Sequence, residues 1–180
     1  MTAQISDTFL FWGGKYDLIG MTAGRLATPE QFGMVPAMIH TACYRGFYAT
    51  YELNGHALYL RELTLRVENG IYLPIGETLP DENSESFQAR YSGLKVLVPF
   101  TGKIRLAKGF ILDLYIHMGY QKPTAFETVL DITLKAGEIM EIKDRSQEME
   151  EMRGAFKRYY ESGDMFRTIE DAFSLDMDLE

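Results

Sequence analysis

The stretch 42–67 reads ACYRGFYATYELNGHALYLRELTLRV, and it determines the fold class. Two runs rich in tyrosine, phenylalanine, threonine and leucine flank Asn54 and Gly55. Asn-Gly favours a type I′ turn, in which both central residues need positive φ, and aromatic residues favour strands. We therefore expect a long antiparallel hairpin with a two-residue turn, in which Leu53 pairs with His56.

Alternation of apolar and polar residues predicts further strands on both sides of this hairpin. Their ranges are 8–12, 16–21, 70–74, 94–100, 104–107, 110–118, 126–134 and 138–142. The alternation is clearest over 110–118. At the turn 135–137 we expect a three-residue loop, because it pairs Ile132 with Met140, whereas a two-residue loop would set Ile132 against Glu141.

Two helices are predicted at the C-terminal end. From Ser146 onwards the apolar residues recur with the period of a helix, and Gly163 followed by Asp164 ends this helix and begins another. The apolar stripe of the first helix consists of Met149, Met152, Phe156, Tyr159 and Tyr160. A single short helical turn is predicted to begin after Thr28.

A run of strands followed by helices indicates an α+β fold that is dominated by β structure. We expect an antiparallel curved sheet or a partly closed barrel of about 8–10 strands, followed by the two helices. The 180 residues suit a single domain, with 1–144 as a β-rich body and 145–180 as helices packed on it. The sequence contains no repeat or linker that would divide the chain.

The composition restricts the partners and the location. The formal net charge is −8 at pH 7, so we expect no binding to nucleic acid or to a membrane surface, whereas a basic protein would be attracted. No apolar run approaches the ~20 residues that cross a bilayer, and the N-terminus lacks the pattern of a signal peptide. A single cysteine allows no internal disulfide, and we expect a cytoplasmic protein.

The predicted register assigns candidate binding residues to both faces of the hairpin. On one face Arg45 and Glu62 become diagonal neighbours, which indicates either the mouth of an anion-binding pocket or a cross-strand ion pair. On the other face Tyr48 lies beside Arg61, a pair typical of binding surfaces and also of ordinary sheet covering. Gly46 on that face predicts a bulge or the close approach of another backbone or a ligand.

Candidate catalytic residues lie on the predicted strand 110–118. Asp113, Tyr115 and His117 would project from one face of this strand, where a carboxylate beside a histidine could make the imidazole a general base. Tyr120 follows directly and could add a second phenol as a binding group. A solvated strand face uses the same residue types, so these residues are candidates and do not form a motif.

Other chemistries have no support in the sequence. It contains no phosphate-binding glycine loop, no nucleophile elbow, no HExxH zinc motif and no calcium-binding loop. The lone Cys43 is expected to be a small buried hydrophobe. His40 and Cys43 supply fewer ligands than a zinc site uses, so we expect no metal and no cofactor.

The sequence leaves two functions open. The first is a small acidic binding or interaction domain, with no discernible catalytic motif, that neutralises or regulates a basic protein partner. The alternative is a small-molecule-binding β-barrel-like domain, which could be a cofactor-free enzyme, with a polar pocket around Arg45 and His117. A homodimer through the helical stripe is a further alternative, although packing of that stripe on the chain's own sheet is the simpler expectation.

Overall fold

A computed structural model describes residues 2–22, 26–82, 87–160, 175 and 177 of the chain. Within these residues the fold consists of nine strands and one α-helix, together with three short 3-10 helices. The strands are β1 (Thr8–Phe11), β2 (Gly14–Met21), β3 (Phe47–Leu53), β4 (Leu58–Leu65), β5 (Ala89–Tyr91), β6 (Val96–Leu97), β7 (Gly102–Phe110), β8 (Phe126–Lys135) and β9 (Glu138–Asp144). The helix α1 is Ser146–Tyr160, and the 3-10 helices are Pro29–Phe32, Leu112–Leu114 and Pro123–Ala125.

All nine strands belong to one sheet. Its order is β5-β4-β3-β1-β2-β7-β8-β9, and β6 also pairs with β4. The described pairs are antiparallel except for β1 and β3, which are parallel. The prediction of a β-dominated fold is confirmed, but the sheet is not closed into a barrel.

The sheet is nevertheless strongly curved. The amide of Ile139, at the start of β9, donates a hydrogen bond of 3.3 Å to the carbonyl of Gly55, in the turn between β3 and β4. Three strands separate β3 from β8 in the sheet order, so the two turns can meet only if the sheet curls toward itself. The curvature encloses a large apolar core on one face.

The main core contains the inward-facing side chains of seven strands. Tyr51 and Phe9 stack with their ring centroids 5.0 Å apart, and both are completely buried. Leu60, Leu106 and Ile132 are buried in the same cluster. Each such side chain contributes about 1.5–3 kcal/mol by leaving water, so this core is the main source of stability.

Helix α1 covers part of the opposite face. Met149 is buried there against Ile19, Ala107, Phe126 and Val129, which lie on strands β2, β7 and β8. The expected packing of the helical stripe on the chain's own sheet is thus confirmed for Met149, whereas the side chain of Met152 is exposed. The side chains of the other three stripe residues and the second predicted helix lie outside the described residues. The described residues therefore contain one α-helix rather than the predicted two.

The predicted strand 110–118 is wrong beyond its first residue. Strand β7 ends at Phe110, which pairs with Phe126, the first residue of β8. Past that point β7 has no neighbouring strand, and the chain closes a 3-10 turn in which the amide of Leu114 donates to the carbonyl of Ile111 (3.0 Å). The predicted strand 70–74 is also not formed.

The hairpin of β3 and β4 exists, but its loop differs from the prediction. Four residues, 54–57, connect the strands, and Leu53 pairs with Leu58 rather than with His56. The side-chain oxygen of Asn54 accepts hydrogen bonds of 3.2 and 3.0 Å from two loop amides. Asparagine commonly forms such turns with its own side chain, and here they replace the expected type I′ geometry.

A β-bulge in β4 changes which residues of this strand face the core. The register shifts at Arg61, so that Thr50 lies opposite Glu62. The buried leucines of β4 are Leu58, Leu60, Leu63 and Leu65. A regular strand would expose two of these leucines, and the extra residue of the bulge brings all four to the core side.

The turn between β8 and β9 also differs from the prediction. It has two residues, Ala136 and Gly137, with φ values of 50° and 85°. A bulge at Met140 then shifts the register and sets Ile132 opposite Ile142. The predicted three-residue loop is wrong, because a bulge rather than a longer loop pairs the apolar residues.

The expected close approach at Gly46 is confirmed, although this residue precedes β3 in a turn. Its φ is +81°, and a Cβ at this position would lie 2.4 Å from the carbonyl oxygen of Ala37. No side chain fits in this space. The loop that contains Ala37 is therefore held directly against the start of β3.

We expect Gly46→Ala to lower the free energy of unfolding by about 2–4 kcal/mol, because the new methyl group adds a collision to the cost of a left-handed backbone. Gly55→Ala is the matched control, since its φ is +93° but nothing lies within 4 Å of the new atom. The control should lose only about 1 kcal/mol. Urea denaturation measures both values, and equal losses would contradict the close contact.

Candidate functional site

The structure separates the predicted binding residues into two groups. Arg45 lies in a buried ion pair, and Tyr120 is close enough for the charge of Arg45 to act on its phenol. The other three residues lie on the face of β3 and β4 that points away from the main core. These are Tyr48, Arg61 and Glu62.

The partner of Arg45 is Asp7, which the sequence analysis did not single out. Asp7 is only 2% exposed, and its two carboxylate oxygens accept hydrogen bonds of 2.5 and 3.2 Å from the guanidinium. The amide of Ala49 donates a third bond of 2.7 Å to the same carboxylate. On the other side of the guanidinium, Nε of Arg45 donates to the carbonyl of Phe47 at 2.8 Å.

These hydrogen bonds determine whether Arg45 can bind an anionic ligand. Its guanidinium also lies over the ring of Phe47, at 4.7 Å from the centroid. Because Asp7 already occupies the fork that would grip a carboxylate or phosphate, Arg45 is not available as an anion anchor. The predicted pairing with Glu62 is wrong, since Glu62 contacts Arg90 at 3.1 Å instead.

A small cleft lies beside this ion pair. Its volume is about 220 Å³, and the ion pair forms part of its wall. The apolar lining residues are Leu18, Met21, Leu26, Ala27, Phe47 and Leu175, and Thr28 and Glu30 complete the lining. This volume is below the ~300–1,000 Å³ of typical ligand pockets, so the cleft suits only a very small molecule.

The thiol and the two phenols near Arg45 stay protonated near neutral pH. Burial raises the pKa of the Cys43 thiol, although the nearby charge of Arg45 opposes this effect. Burial likewise raises the pKa of Tyr120 and, to a much larger extent, the pKa of Tyr51. A protonated thiol and protonated phenols are poor nucleophiles and poor bases, so this cluster does not resemble a catalytic centre.

The candidate catalytic residues are not brought together on a strand. Asp113 lies in the 3-10 helix after β7, and His117 lies in the following loop; both are exposed. The rings of Tyr115 and His117 meet edge to face, with their centroids 4.8 Å apart. Within the described residues, no hydrogen bond joins His117 to Asp113, and neither residue lines the cleft beside Arg45.

The bulge in β4 also separates Tyr48 from Arg61. Tyr48 lies opposite Thr64, whereas Arg61 forms an ion pair with Glu52 at 3.3 Å. The predicted cation–π pair is therefore wrong. Arg61 points instead toward the tip of the neighbouring β1–β2 hairpin, where a second cleft is found.

Trp12 at the tip of this hairpin is the most unusual side chain of the structure. It is 67% exposed, and its φ of 49° is left-handed, as is the φ of 69° of Gly13. A left-handed backbone costs a residue other than glycine about 1–2 kcal/mol. Within the described residues the indole stacks only on Phe11, with ring centroids 4.5 Å apart.

The second cleft lies directly beside Trp12. Its volume is about 440 Å³. The lining residues are Leu10, Phe11, Trp12, Gly13, Gly14, Lys15, Glu52, Leu53 and Arg61. Sequence reasoning placed a turn near Gly13 but treated Trp12 as a strand residue; the signal that could have found it is a large aromatic residue directly before two glycines.

Comparison of the chain with protein-family models, with curated proteins and with solved structures found no match. Among the described residues, no group of three or more histidine, cysteine, aspartate and glutamate side chains could hold a metal ion. In the same residues, no helix has the length and apolar character needed to cross a membrane.

We expect Asp7→Asn to lower the free energy of unfolding by about 2–4 kcal/mol, because it leaves the largely buried guanidinium of Arg45 without its counter-charge. Glu52→Gln is the control, since it breaks the exposed pair with Arg61 and should cost less than about 1 kcal/mol. Chemical denaturation of both variants measures the difference. Similar losses would show that Asp7 and Arg45 do not form a buried pair.

We expect the Cys43 thiol to react slowly with a disulfide reagent at pH 8 in the native protein. The raised pKa lowers the thiolate fraction below that of an ordinary cysteine, and burial blocks access. The rate should rise with pH and rise sharply in urea. Rapid modification of the folded protein at neutral pH would instead identify a reactive thiol.

Proposed function

We propose that this chain is a non-catalytic binding protein whose partner is a protein with a basic surface. The observation that carries this proposal is an uneven distribution of charge. Residues 1–137 contain 13 acidic and 12 basic residues, whereas residues 138–180 contain 13 acidic and 6 basic residues. Almost the whole net charge of −8 therefore comes from the chain after β8.

The described part of this acidic region lies on strand β9 and the first half of α1. Its carboxylates are all exposed: Glu138, Glu141, Asp144, Glu148, Glu150 and Glu151. Of the three cations between residues 138 and 153, two bind within the chain. Arg145 contacts Glu148 at 2.6 Å, and Arg153 donates hydrogen bonds of 2.9 and 2.5 Å to the carbonyls of Thr124 and Phe126.

The position of β9 adds a second argument. It is an edge strand of the sheet, and two exposed methionines, Met140 in β9 and Met152 in α1, lie among the carboxylates. Methionine is enriched in protein interfaces, and complementary charge speeds association and excludes wrong partners. Acidic side chains on an edge strand also prevent aggregation, which is the simpler explanation that the experiment below has to exclude.

The small-molecule alternative has less support. The structure does not bring Arg45 and His117 into one cleft, and Arg45 is engaged by Asp7. Burial raises the pKa of Cys43 and of Tyr120, so neither is a ready nucleophile or base, which supports a non-catalytic role. We also propose a cytoplasmic location, because the single cysteine allows no internal disulfide.

Affinity capture from a native lysate tests the proposal with two charge-matched double variants. Glu138→Lys with Glu141→Lys changes the acidic edge, and Glu68→Lys with Glu77→Lys makes the same change of net charge at exposed loop positions. We expect wild type and the loop variant to retain the same basic protein at low salt, and the edge variant to lose it. Loss of this partner from both variants, or retention by both, would contradict a specific acidic interface.

A further inference from the structure

We propose that the cleft beside Trp12 binds a small molecule in which a planar ring is joined to an anionic group. Trp12, Lys15 and Arg61 would form the site. This inference is independent of the proposed basic partner, because the cleft lies on β1, β2, β3 and β4 and shares no residue with the acidic region. Either proposal can therefore fail without the other.

The indole of Trp12 would supply a stacking platform. The turn that carries Trp12 requires two left-handed residues, a geometry that asparagine and glycine adopt far more easily than tryptophan. The chain nevertheless holds its single tryptophan there, with two thirds of its surface exposed. Backbone strain is often found at functional positions, so its presence at an exposed aromatic residue is a ground for assigning that side chain to ligand contact. Exposed aromatic rings bind flat rings by stacking, without needing a specific hydrogen-bond pattern.

Lys15 would supply the first positive charge. It lies three residues after Trp12, opposite Leu10 across the β1–β2 pair, and its side chain is exposed. Lys15 makes no ion pair in the part of the chain that the structure describes. Its ammonium group is therefore available to an anion in the cleft.

Arg61 would supply the second positive charge, and Glu52 would orient it. The contact of Glu52 with Arg61 is made through Nε at 3.3 Å, and the other guanidinium nitrogens have no partner among the described residues. Leu10 on β1 and Glu52 on β3 lie between Lys15 on β2 and Arg61 on β4, so the two cations flank one apolar residue and one carboxylate. Neighbouring strands are ~4.8 Å apart, so about 14 Å separates the strands that carry the two cations, a gap that the long side chains of lysine and arginine can close on a ligand.

The charge of the cleft differs from that of the whole chain. Two cations and one carboxylate give the cleft a net positive charge, whereas the chain carries −8. The volume of about 440 Å³ is that of a pocket for a small molecule. A ligand whose ring stacks on Trp12 and whose phosphate or carboxylate lies between Lys15 and Arg61 contacts the indole and both cations at once.

Fluorescence of the intact protein tests this site directly, because Trp12 is the only tryptophan in the chain. We expect AMP to quench the emission with saturation, and adenosine, which lacks the phosphate, to bind at least about tenfold more weakly. Phenylacetate joins a planar ring to a carboxylate instead of a phosphate. Saturable quenching by phenylacetate would show that the site accepts a carboxylate. Equal binding of AMP and adenosine, or no saturable effect of either AMP or phenylacetate, would overturn the proposal.

Variants assign the roles of the three side chains. We expect Lys15→Gln and Arg61→Gln each to weaken binding of the more tightly bound of the two anions about tenfold. Lys143→Gln in β9, which is not part of the cleft lining, should leave this affinity unchanged. Trp12→Asn, followed by calorimetry, should abolish binding without lowering the melting temperature, because asparagine suits the turn. Equal effects of Lys15→Gln and Lys143→Gln, or full binding by Trp12→Asn, would contradict the assignment.

Discussion

The ion pair of Asp7 and Arg45 is the constraint on which the arrangement of the sheet depends. Asp7 directly precedes β1, and its carboxylate binds both Arg45 before β3 and the amide of Ala49 within β3. Its carbonyl also accepts a hydrogen bond of 2.9 Å from Leu18 in β2. One buried residue thereby joins three strands at the parallel β1–β3 contact, where parallel pairing is slightly weaker than antiparallel pairing. Because β1 is held at its start, the Trp12 turn at its other end has a defined position about 16 Å away.

The sequence predicts the elements whose alternation is long and regular. Strand β8 and the start of α1 at Ser146 were found for this reason. The sequence does not predict the registers of the β3–β4 and β8–β9 pairs, because a β-bulge in each pair decides them. The bulge in β4 can be recognised in the sequence afterwards, since Leu60 and Leu63 are three residues apart where a regular strand would need two. The end of β7 at Phe110 was not predictable from local pattern, since it depends on where the neighbouring strand begins.

The candidate sites, too, are only partly predictable from the local sequence pattern. Arg45 and Tyr120 do lie near each other, although the hairpin suggested only Arg45 and the predicted strand 110–118 suggested Tyr120. Asp7, from a distant part of the chain, is the ion-pair partner of Arg45. A buried pair between residues far apart in sequence leaves no local trace. Trp12 could have been recognised earlier, since tryptophan before two glycines at a hairpin turn conflicts with the backbone that such a turn needs. A local conflict of this kind is expected where a residue serves function rather than folding.

We propose that the partly buried Arg45 has a structural role, whereas the strained Trp12 forms the binding surface. Nuclear magnetic resonance of the labelled protein tests this most directly, because the indole N–H of Trp12 and the Nε–H of Arg45 give separate signals. During addition of AMP, the account predicts that the Trp12 signal moves together with the amides of Lys15 and Arg61, while the Arg45 signal stays in place. Movement of the Arg45 signal with an unchanged Trp12 signal would contradict it.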